Sequence, residues 1–203
     1  MINKILHILK NPSKNLNDWD ILITLDKAYR ELYSRGEISA ARKAGVVFHP
    51  DDKNLYLSNL QKELNTALYT GEGSTKTSFS ILDDSHSTKW IVLEDGKFYD
   101  LLSSVFTVGN AIRSNGGGEN IIGLVFEFFF MDKQNSQENI ETTKVYLIYR
   151  YDLKAFYPFV PTGDKKGERN RIIENRLGYA LKNYGIIIER SLEKWLGLWG
   201  IPF

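Results

Sequence analysis

Two short segments combine histidine with carboxylates, the residue types that bind divalent cations or carry protons in hydrolases. They are His49-Pro50-Asp51-Asp52 and Asp83-Asp84-Ser85-His86, and each lies next to a predicted strand. Neither has the helical spacing of a two-histidine zinc motif, and aspartate, serine and proline are common turn formers. We therefore interpret both segments as solvated turns, and we assign no catalytic residue, metal ligand or cofactor. A metal-dependent hydrolase built on the loops around His49 and His86 stays the alternative function.

A basic segment precedes the last long helical pattern and is a candidate site for an acidic partner. It contains Lys165, Lys166, Arg169 and Arg171, close to the positive end of the helix dipole. The spacing of a phosphate-binding Walker loop is absent. The competing interpretation is a solvated basic face, which is the more common role of such a segment on a near-neutral protein.

The composition limits the classes of protein to which the chain can belong. Its 203 residues include 26 Lys and Arg against 25 Asp and Glu, whereas nucleic-acid-binding proteins usually carry a basic excess, so no nucleic-acid partner is expected. The absence of cysteine excludes disulfides, thiol nucleophiles and cysteine-ligated metal centres. A hydrophobic content of 42% excludes a disordered chain and is sufficient for one sizeable core.

The hydropathy pattern predicts a cytoplasmic protein. No apolar run reaches the roughly 20 residues that span a bilayer, and the longest, residues 121–131, is interrupted by Glu127. The first ten residues show no secretory signal, but their apolar side chains recur as one helical stripe. We expect residues 1–16 to form an amphipathic helix and linker that packs on the domain or on a partner. Peripheral contact of residues 1–10 with the inner face of the membrane is the alternative.

Hydrophobic periodicity predicts the elements that must position these side chains. Helices are predicted over residues 18–35, 57–69, 98–112, 173–184 and 192–199, and strands over residues 45–48, 77–82, 89–93, 121–131, 144–151 and 156–161. Hairpins that alternate with single helices predict an α+β domain over residues 17–203, with helical N- and C-termini. Its sheet is expected to be mainly antiparallel, built from hairpins, with helices packed on one face. Glu127 is expected to lie at a sheet rim or to face a Lys or Arg across its hairpin.

Aromatic residues are concentrated in two motifs near the end of the chain. These are Phe156-Tyr157-Pro158-Phe159-Val160-Pro161 and Trp195-Leu196-Gly197-Leu198-Trp199-Gly200-Ile201-Pro202. Exposed aromatic side chains anchor protein partners because they desolvate a large area at a low conformational cost. The candidate partner-binding residues are Phe156, Tyr157, Phe159, Trp195 and Trp199. The competing interpretation, that the rings fix the last helix on the sheet, is expected to hold for at least half of them.

With these two motifs the chain resembles the PspA-associated protein PspAB family. Residues 44–50, the hairpin over residues 84–92 and the short N-terminal helix with its linker also occur in the order of that family. The resemblance implies association with a phage-shock-protein-A system, in which a coiled-coil, membrane-remodelling protein maintains the envelope under stress. It implies as partner a PspA-like coiled-coil protein or a membrane metalloprotease of the HtpX type, and it supplies no catalytic residues. The expected function is therefore that of a non-enzymatic adaptor protein.

Overall fold

The structure is a computed structural model that describes most of the chain. The described residues are 17–70, 76–84, 87–132, 141–163 and 167–203. The predicted N-terminal helix and linker, residues 1–16, lie outside the described residues, and so do His86, Lys165 and Lys166.

Helices alternate with antiparallel hairpins along the described chain. The helices are α1 (Asp18–Ser34), α2 (Leu55–Ser58), α3 (Leu60–Tyr69), α4 (Phe98–Ile112) and α5 (Arg171–Asn183). The strands are β1 (Ile38–Phe48), β2 (Ser78–Asp83), β3 (Lys89–Glu94), β4 (Ile121–Asp132), β5 (Glu141–Arg150) and β6 (Ala155–Phe159). They form one six-stranded antiparallel sheet in the order β2-β3-β1-β4-β5-β6. The predicted α+β class is confirmed.

Local side-chain contacts fix where helices α1 and α5 begin. The Asn17 side chain accepts the Asp20 N–H at 2.8 Å at the start of α1, and the Asn170 side chain accepts the Ile173 N–H at 3.1 Å at the start of α5. Gly36, with φ of 64°, ends α1 in the left-handed region that glycine adopts without strain. No helix in the described ranges is both long enough and apolar enough to cross a bilayer.

Helices α1 and α4 cover one face of the sheet, as predicted. The rings of Tyr29 in α1 and Phe98 in α4 have their centroids 6.0 and 5.2 Å from the ring of Phe128 in β4. Fully buried side chains such as Leu22, Val105 and Phe126 belong to the same hydrophobic core. Burial of this apolar surface is the main favourable term in the stability of the domain.

The opposite face of the sheet is covered by residues 186–203, which we call the C-terminal segment. Tyr146 pairs with Glu127, so strand alternation places it on the other face from Phe128. The Phe203 ring lies 5.9 Å from the Trp90 ring and 6.1 Å from the Tyr146 ring, between centroids. The Tyr146 hydroxyl also donates a hydrogen bond to the Phe203 backbone oxygen at 2.6 Å. A chain with little regular structure therefore covers this face around Trp90 and Tyr146, while Ser78, Ser80 and Leu82 of β2 on the same face stay exposed.

The prediction of a last helix over residues 192–199 is wrong, because only Leu192–Lys194 forms a short 3₁₀ turn. Gly197 and Gly200 oppose a helix, and Gly200 has φ of 79°. The helical spacing of the tryptophans has another origin. Trp195 stacks on Tyr157 of β6, with centroids 6.1 Å apart, and the Trp199 ring meets the ring of Phe159 at 5.5 Å.

Glu127 meets a lysine across its hairpin, as predicted, although the lysine lies diagonally and Tyr146 is the residue directly opposite. Although Glu127 is buried, its carboxylate pairs with the Lys144 Nζ at 2.5 Å across the β4–β5 hairpin. The hydrogen bond to Glu127 raises the pKa of Lys144, which stays charged. The costly burial of this carboxylate is thus compensated by a cross-strand cation.

Gly45 in strand β1 provides the room that Phe203 occupies. A Cβ at position 45 would lie 2.9 Å from Phe203 Cε1 and 3.2 Å from Trp90 Cε3. Gly45→Val is therefore expected to displace the Phe203 ring and to lower the free energy of unfolding by about 1–3 kcal/mol in urea titrations, although valine favours strands. Gly96→Ala, where a Cβ has no atom nearer than 4.0 Å, is the matched control. An unchanged urea midpoint for Gly45→Val would show that Phe203 is not held at this position.

Candidate functional site

Four of the five aromatic residues predicted to bind a partner, Tyr157, Phe159, Trp195 and Trp199, lie together on one face of the sheet. Phe156 points to the other face, where its ring centroid lies 5.0 Å from that of Tyr149. Phe156, Tyr157, Phe159 and Trp195 are buried, and Trp199 is half-buried. Burial raises the pKa of Tyr157 well above its ordinary value. The rings of Tyr157 and Phe159 hold Trp195 and Trp199 of the C-terminal segment on β6, and none of the four buried residues presents a surface to a partner. Their placement follows the competing interpretation, with a non-helical segment in place of a helix.

Arg169 and Arg171, predicted to bind an acidic partner, both contact one buried carboxylate. Glu174 is 0% exposed, and its Oε1 accepts a hydrogen bond from Arg169 Nε at 2.7 Å. Its Oε2 accepts a longer one from Arg171 Nη1 at 3.2 Å. The remaining nitrogens of Arg169 donate to the Trp195 carbonyl at 3.0 Å and to the Pro158 carbonyl at 3.3 Å. Arg169 is therefore committed to internal contacts.

The backbone just after β6 and an aromatic ring make further contacts with the buried ion pair of Arg169 and Glu174. Glu174 Oε1 also accepts the Val160 N–H at 2.9 Å, and the Arg169 guanidinium lies 4.6 Å from the centroid of the Phe159 ring. Arg171 is half-exposed and can still meet an acidic group, whereas Lys165 and Lys166 lie outside the described residues. Of the four predicted basic residues, Arg169 thus has a structural role that leaves no room for a ligand.

A groove with both apolar and charged lining residues opens beside the Arg169–Glu174 pair, between α5 and the C-terminal segment. Its volume is about 320 Å³, and Tyr179, Lys182, Arg190, Leu192 and Trp195 are among its lining residues. Gly178 also lines the groove, where α5 lies close to Trp195 and Ile188. The Trp195 indole N–H donates to the Glu189 carbonyl at 3.0 Å, which fixes the wall opposite α5.

Large hydrophobic side chains are exposed on α5 and on the C-terminal segment, and two of them, Tyr179 and Leu192, line this groove. Ile172 and Tyr179 are 72% and 71% exposed, and Leu192 and Leu196 are 47% and 41% exposed. Ile172 and Tyr179 are seven residues apart on α5, so they lie on the same side of the helix. We call Ile172, Tyr179, Lys182, Arg190, Leu192 and Leu196 the C-terminal surface.

The charges of the C-terminal surface are basic. Lys182 and Arg190 line the groove, and the Glu189 carboxylate, which also lines it, accepts the backbone N–H of Ser191 at 2.8 Å. A groove that combines apolar side chains with basic ones can bind an amphipathic helix that carries acidic residues along its apolar stripe. The sequence contained a signal for this surface. Ile172 and Tyr179 fall outside the buried stripe of the helix predicted over residues 173–184.

The two segments with histidine and aspartate do not assemble a metal centre among the described residues. His49 is exposed at the end of β1. Asp84 Oδ2 accepts hydrogen bonds from the Thr88 hydroxyl at 3.0 Å and from the Trp90 indole at 3.3 Å, as expected of a turn-forming aspartate. His86 lies outside the described residues, and within them no group of three or more His, Asp or Glu is placed to hold a metal ion.

A polar cluster that the sequence did not indicate ties α1 to α4 and β5. The Asp18 carboxylate accepts hydrogen bonds from the Tyr149 hydroxyl and from Arg113 Nη1, both at 2.6 Å, and Lys154 Nζ lies 3.5 Å away. Burial by itself raises the pKa of Asp18, but these hydrogen bonds and the charges of Arg113 and Lys154 hold it below its ordinary value. Burial and Asp18 raise the pKa of Tyr149 so far that the phenol stays protonated. The cluster is suited to cross-linking the fold, not to proton transfer near neutral pH.

Comparison with known proteins identifies one related family. The family model described as PspAB, PspA associated protein B, matches residues 2–203, which include α5 and the whole C-terminal segment. No curated protein and no solved structure matches the chain.

The contacts of Glu174 predict that its replacement strongly lowers the stability of the fold. Glu174→Ala leaves the buried Arg169 cation without its partner, so the free energy of unfolding is expected to fall by about 3–5 kcal/mol in urea titrations. Arg171→Ala removes only the half-exposed partner of the same carboxylate and is expected to cost less than about 1 kcal/mol. Equal effects of the two substitutions would contradict the central role of the buried pair.

The depressed pKa of Asp18 predicts how stability depends on pH. Its ionised form is favoured in the folded state, so its contribution is fully present above the unfolded pKa of about 3.9 and is lost as the pH falls through the folded value. Asp18→Asn is expected to lower the unfolding free energy by about 1–3 kcal/mol at pH 7 and to have a smaller effect below about pH 4. Urea titrations from pH 7 to pH 2.5 test this, with Asp20→Asn on the exposed side of α1 as control. If the difference in unfolding free energy between Asp18→Asn and the unaltered chain does not vary with pH, the proposed dependence on Asp18 ionisation is wrong.

Proposed function

Because this chain belongs to the PspA associated protein B family, we propose that it is a non-enzymatic adaptor that binds a PspA-type coiled-coil protein of a membrane-stress system. The family description relates its members to PspA. The observation that carries the proposal is the exposure of Ile172 and Tyr179 on one side of α5, where Tyr179 lines the groove.

The exposed side chains of the C-terminal surface have the properties of binding anchors. Burying one large hydrophobic side chain stabilises a complex by about 1.5–3 kcal/mol before the costs of association are subtracted. Binding energy is usually concentrated in a few residues, and tyrosine is enriched among them. A coiled-coil partner presents apolar side chains at helical spacing, and such side chains fit a groove that runs beside a helix.

The charges near the groove also favour a partner that binds there and carries acidic residues. Lys182 and Arg190 lie in the groove, and Arg171 is half-exposed at the start of α5. Basic side chains at the edge of an interface accelerate association with an acidic surface and lose this effect at high salt. The partner helix that we propose is therefore amphipathic, with acidic residues flanking its apolar stripe.

Two further parts of the proposal concern the membrane. We place the adaptor in the cytoplasm at the inner face of the membrane, with the apolar stripe of residues 1–10 as the segment that contacts lipid. A membrane protease of the HtpX type is proposed as a second partner. Flotation of the chain with and without residues 1–12 on liposomes tests the membrane part separately, and equal flotation would remove residues 1–10 as an anchor.

Pull-down with a co-expressed PspA-type protein of the same organism tests the adaptor role. The double substitution Ile172→Asp, Tyr179→Asp removes two anchors and places carboxylates on the exposed side of α5, so binding is expected to weaken at least about tenfold. Leu55 and Tyr33 are exposed on other helices, at 79% and 58%, and Leu55→Asp, Tyr33→Asp is the matched control that should bind like the unaltered chain.

One result would count against the adaptor role, and another only against the C-terminal surface as its binding site. If the unaltered chain retains no PspA-type protein, the adaptor role is wrong. If it retains the partner and both double variants do so equally, the adaptor role stands and the C-terminal surface is not the binding site. Circular dichroism of each variant separates loss of binding from loss of folding.

A further inference from the structure

The two edges of the sheet differ in whether further backbone hydrogen bonds cover them. At the β6 edge, the Phe156 N–H donates to the Ile187 carbonyl at 2.8 Å, and the Phe156 carbonyl accepts the Glu189 N–H at 2.9 Å. Strand β6 also contains Pro158, which has no N–H to offer another strand. At the other edge, β2 pairs with β3 alone, and no other described residue pairs with its outer side.

Strand β2 lacks the features by which natural edge strands avoid pairing with other chains. It contains no proline, and Asp83 is the single charged residue among its six. Its register with β3 runs without a bulge from Ser78 to Asp83. Ser78, Ser80 and Leu82 are exposed. A regular, exposed edge of this kind is a template for the addition of a further strand.

The hydrogen-bond pattern shows which backbone groups face outward. The Asp84 N–H donates to the Thr88 carbonyl at 2.9 Å, so alternate residues counted back from Asp84 bond to β3. The intervening residues, Phe79, Ile81 and Asp83, direct their N–H and C=O groups away from β3. These outward groups can form a second ladder without disturbing the first.

We propose that β2 pairs with β2 of a second copy of this chain in antiparallel orientation, around a two-fold axis at Ser80. The residues that face each other across an antiparallel pair share one face of the sheet. A two-fold axis perpendicular to the sheet therefore lies between the two copies of one and the same residue, which face each other across it. The pairing joins the two sheets edge to edge and is independent of the adaptor function.

The side chains of β2 favour this register. An axis at Ser80 places Phe79 of each chain opposite Ile81 of the other, and both are half-buried apolar residues with outward backbone groups. It also places Lys76 opposite Asp84 at both ends of the pairing. An axis at Ile81 would instead place Phe79 opposite Asp83, an aromatic ring against a carboxylate. Complementary charges and matched apolar pairs thus identify a second copy as the occupant of this edge.

Pairing of two six-residue strands buries less area than the roughly 1,600 Å² of a standard interface, so the dimer is expected to dissociate at micromolar concentrations. Sedimentation velocity of the full chain from about 1 to 200 μM should show a reversible shift toward twice the mass of one chain. Ser80→Lys and Ser80→Glu each place like charges next to each other at the axis, where Cβ atoms are about 5 Å apart. Each variant alone is expected to dimerise at least about tenfold more weakly.

An equimolar mixture of Ser80→Lys and Ser80→Glu is the decisive measurement. The two opposite charges then meet at the axis, so the mixture is expected to dimerise more strongly than either variant alone, a result that misfolding cannot produce. Thr142→Lys, at an exposed position on β5, is the control that should dimerise like the unaltered chain. Three results would overturn the proposal: a monomer at every concentration, a dimer insensitive to Ser80→Lys, or a mixture no more associated than its components.

Discussion

The arrangement of the C-terminal half depends on one buried ion pair, that of Arg169 and Glu174. The carboxylate accepts hydrogen bonds from Arg169, Arg171 and the Val160 N–H, while Arg169 continues to the Trp195 carbonyl. A buried charge is tolerated only when such contacts compensate its lost hydration. The pair therefore couples three parts of the chain, the start of α5, the end of β6 and the C-terminal segment. Because the groove lies between α5 and that segment, its width depends on the same contacts.

Much of the fold could be predicted because its determinants are local. The hairpins β2–β3 and β4–β5 follow from short runs of branched and aromatic residues, and the pairing of Glu127 with Lys144 joins neighbouring strands of one hairpin. The first half of β1 was missed. Residues 38–44 contain alanine, arginine and lysine, which show no strand pattern, and their conformation is imposed by pairing with residues of β4. The helix predicted over residues 192–199 failed for a related reason, since its apolar spacing matches contacts with β6 and not one side of a helix.

The candidate site was less predictable than the fold, because it depends on contacts between distant parts of the chain. The sequence identified the aromatic residues of β6 and of the C-terminal segment, but it could not show that they cover one another. Asp18 and Tyr149 are 131 residues apart, and no local pattern indicates their hydrogen bond. The exposed residues Ile172 and Tyr179 were indicated only indirectly, as apolar residues outside the buried stripe of α5.

The covering of one sheet face by residues 186–203 also affects how the protein must fold during synthesis. Ribosomes deliver a chain from its N-terminus, so all six strands are made before the segment that carries Trp195, Trp199 and Phe203. Until then, a sheet that has already formed leaves Trp90 and Tyr146 open to water or to other chains. The interval between completion of β6 and arrival of Phe203 is therefore the time during which the nascent protein most needs protection from aggregation.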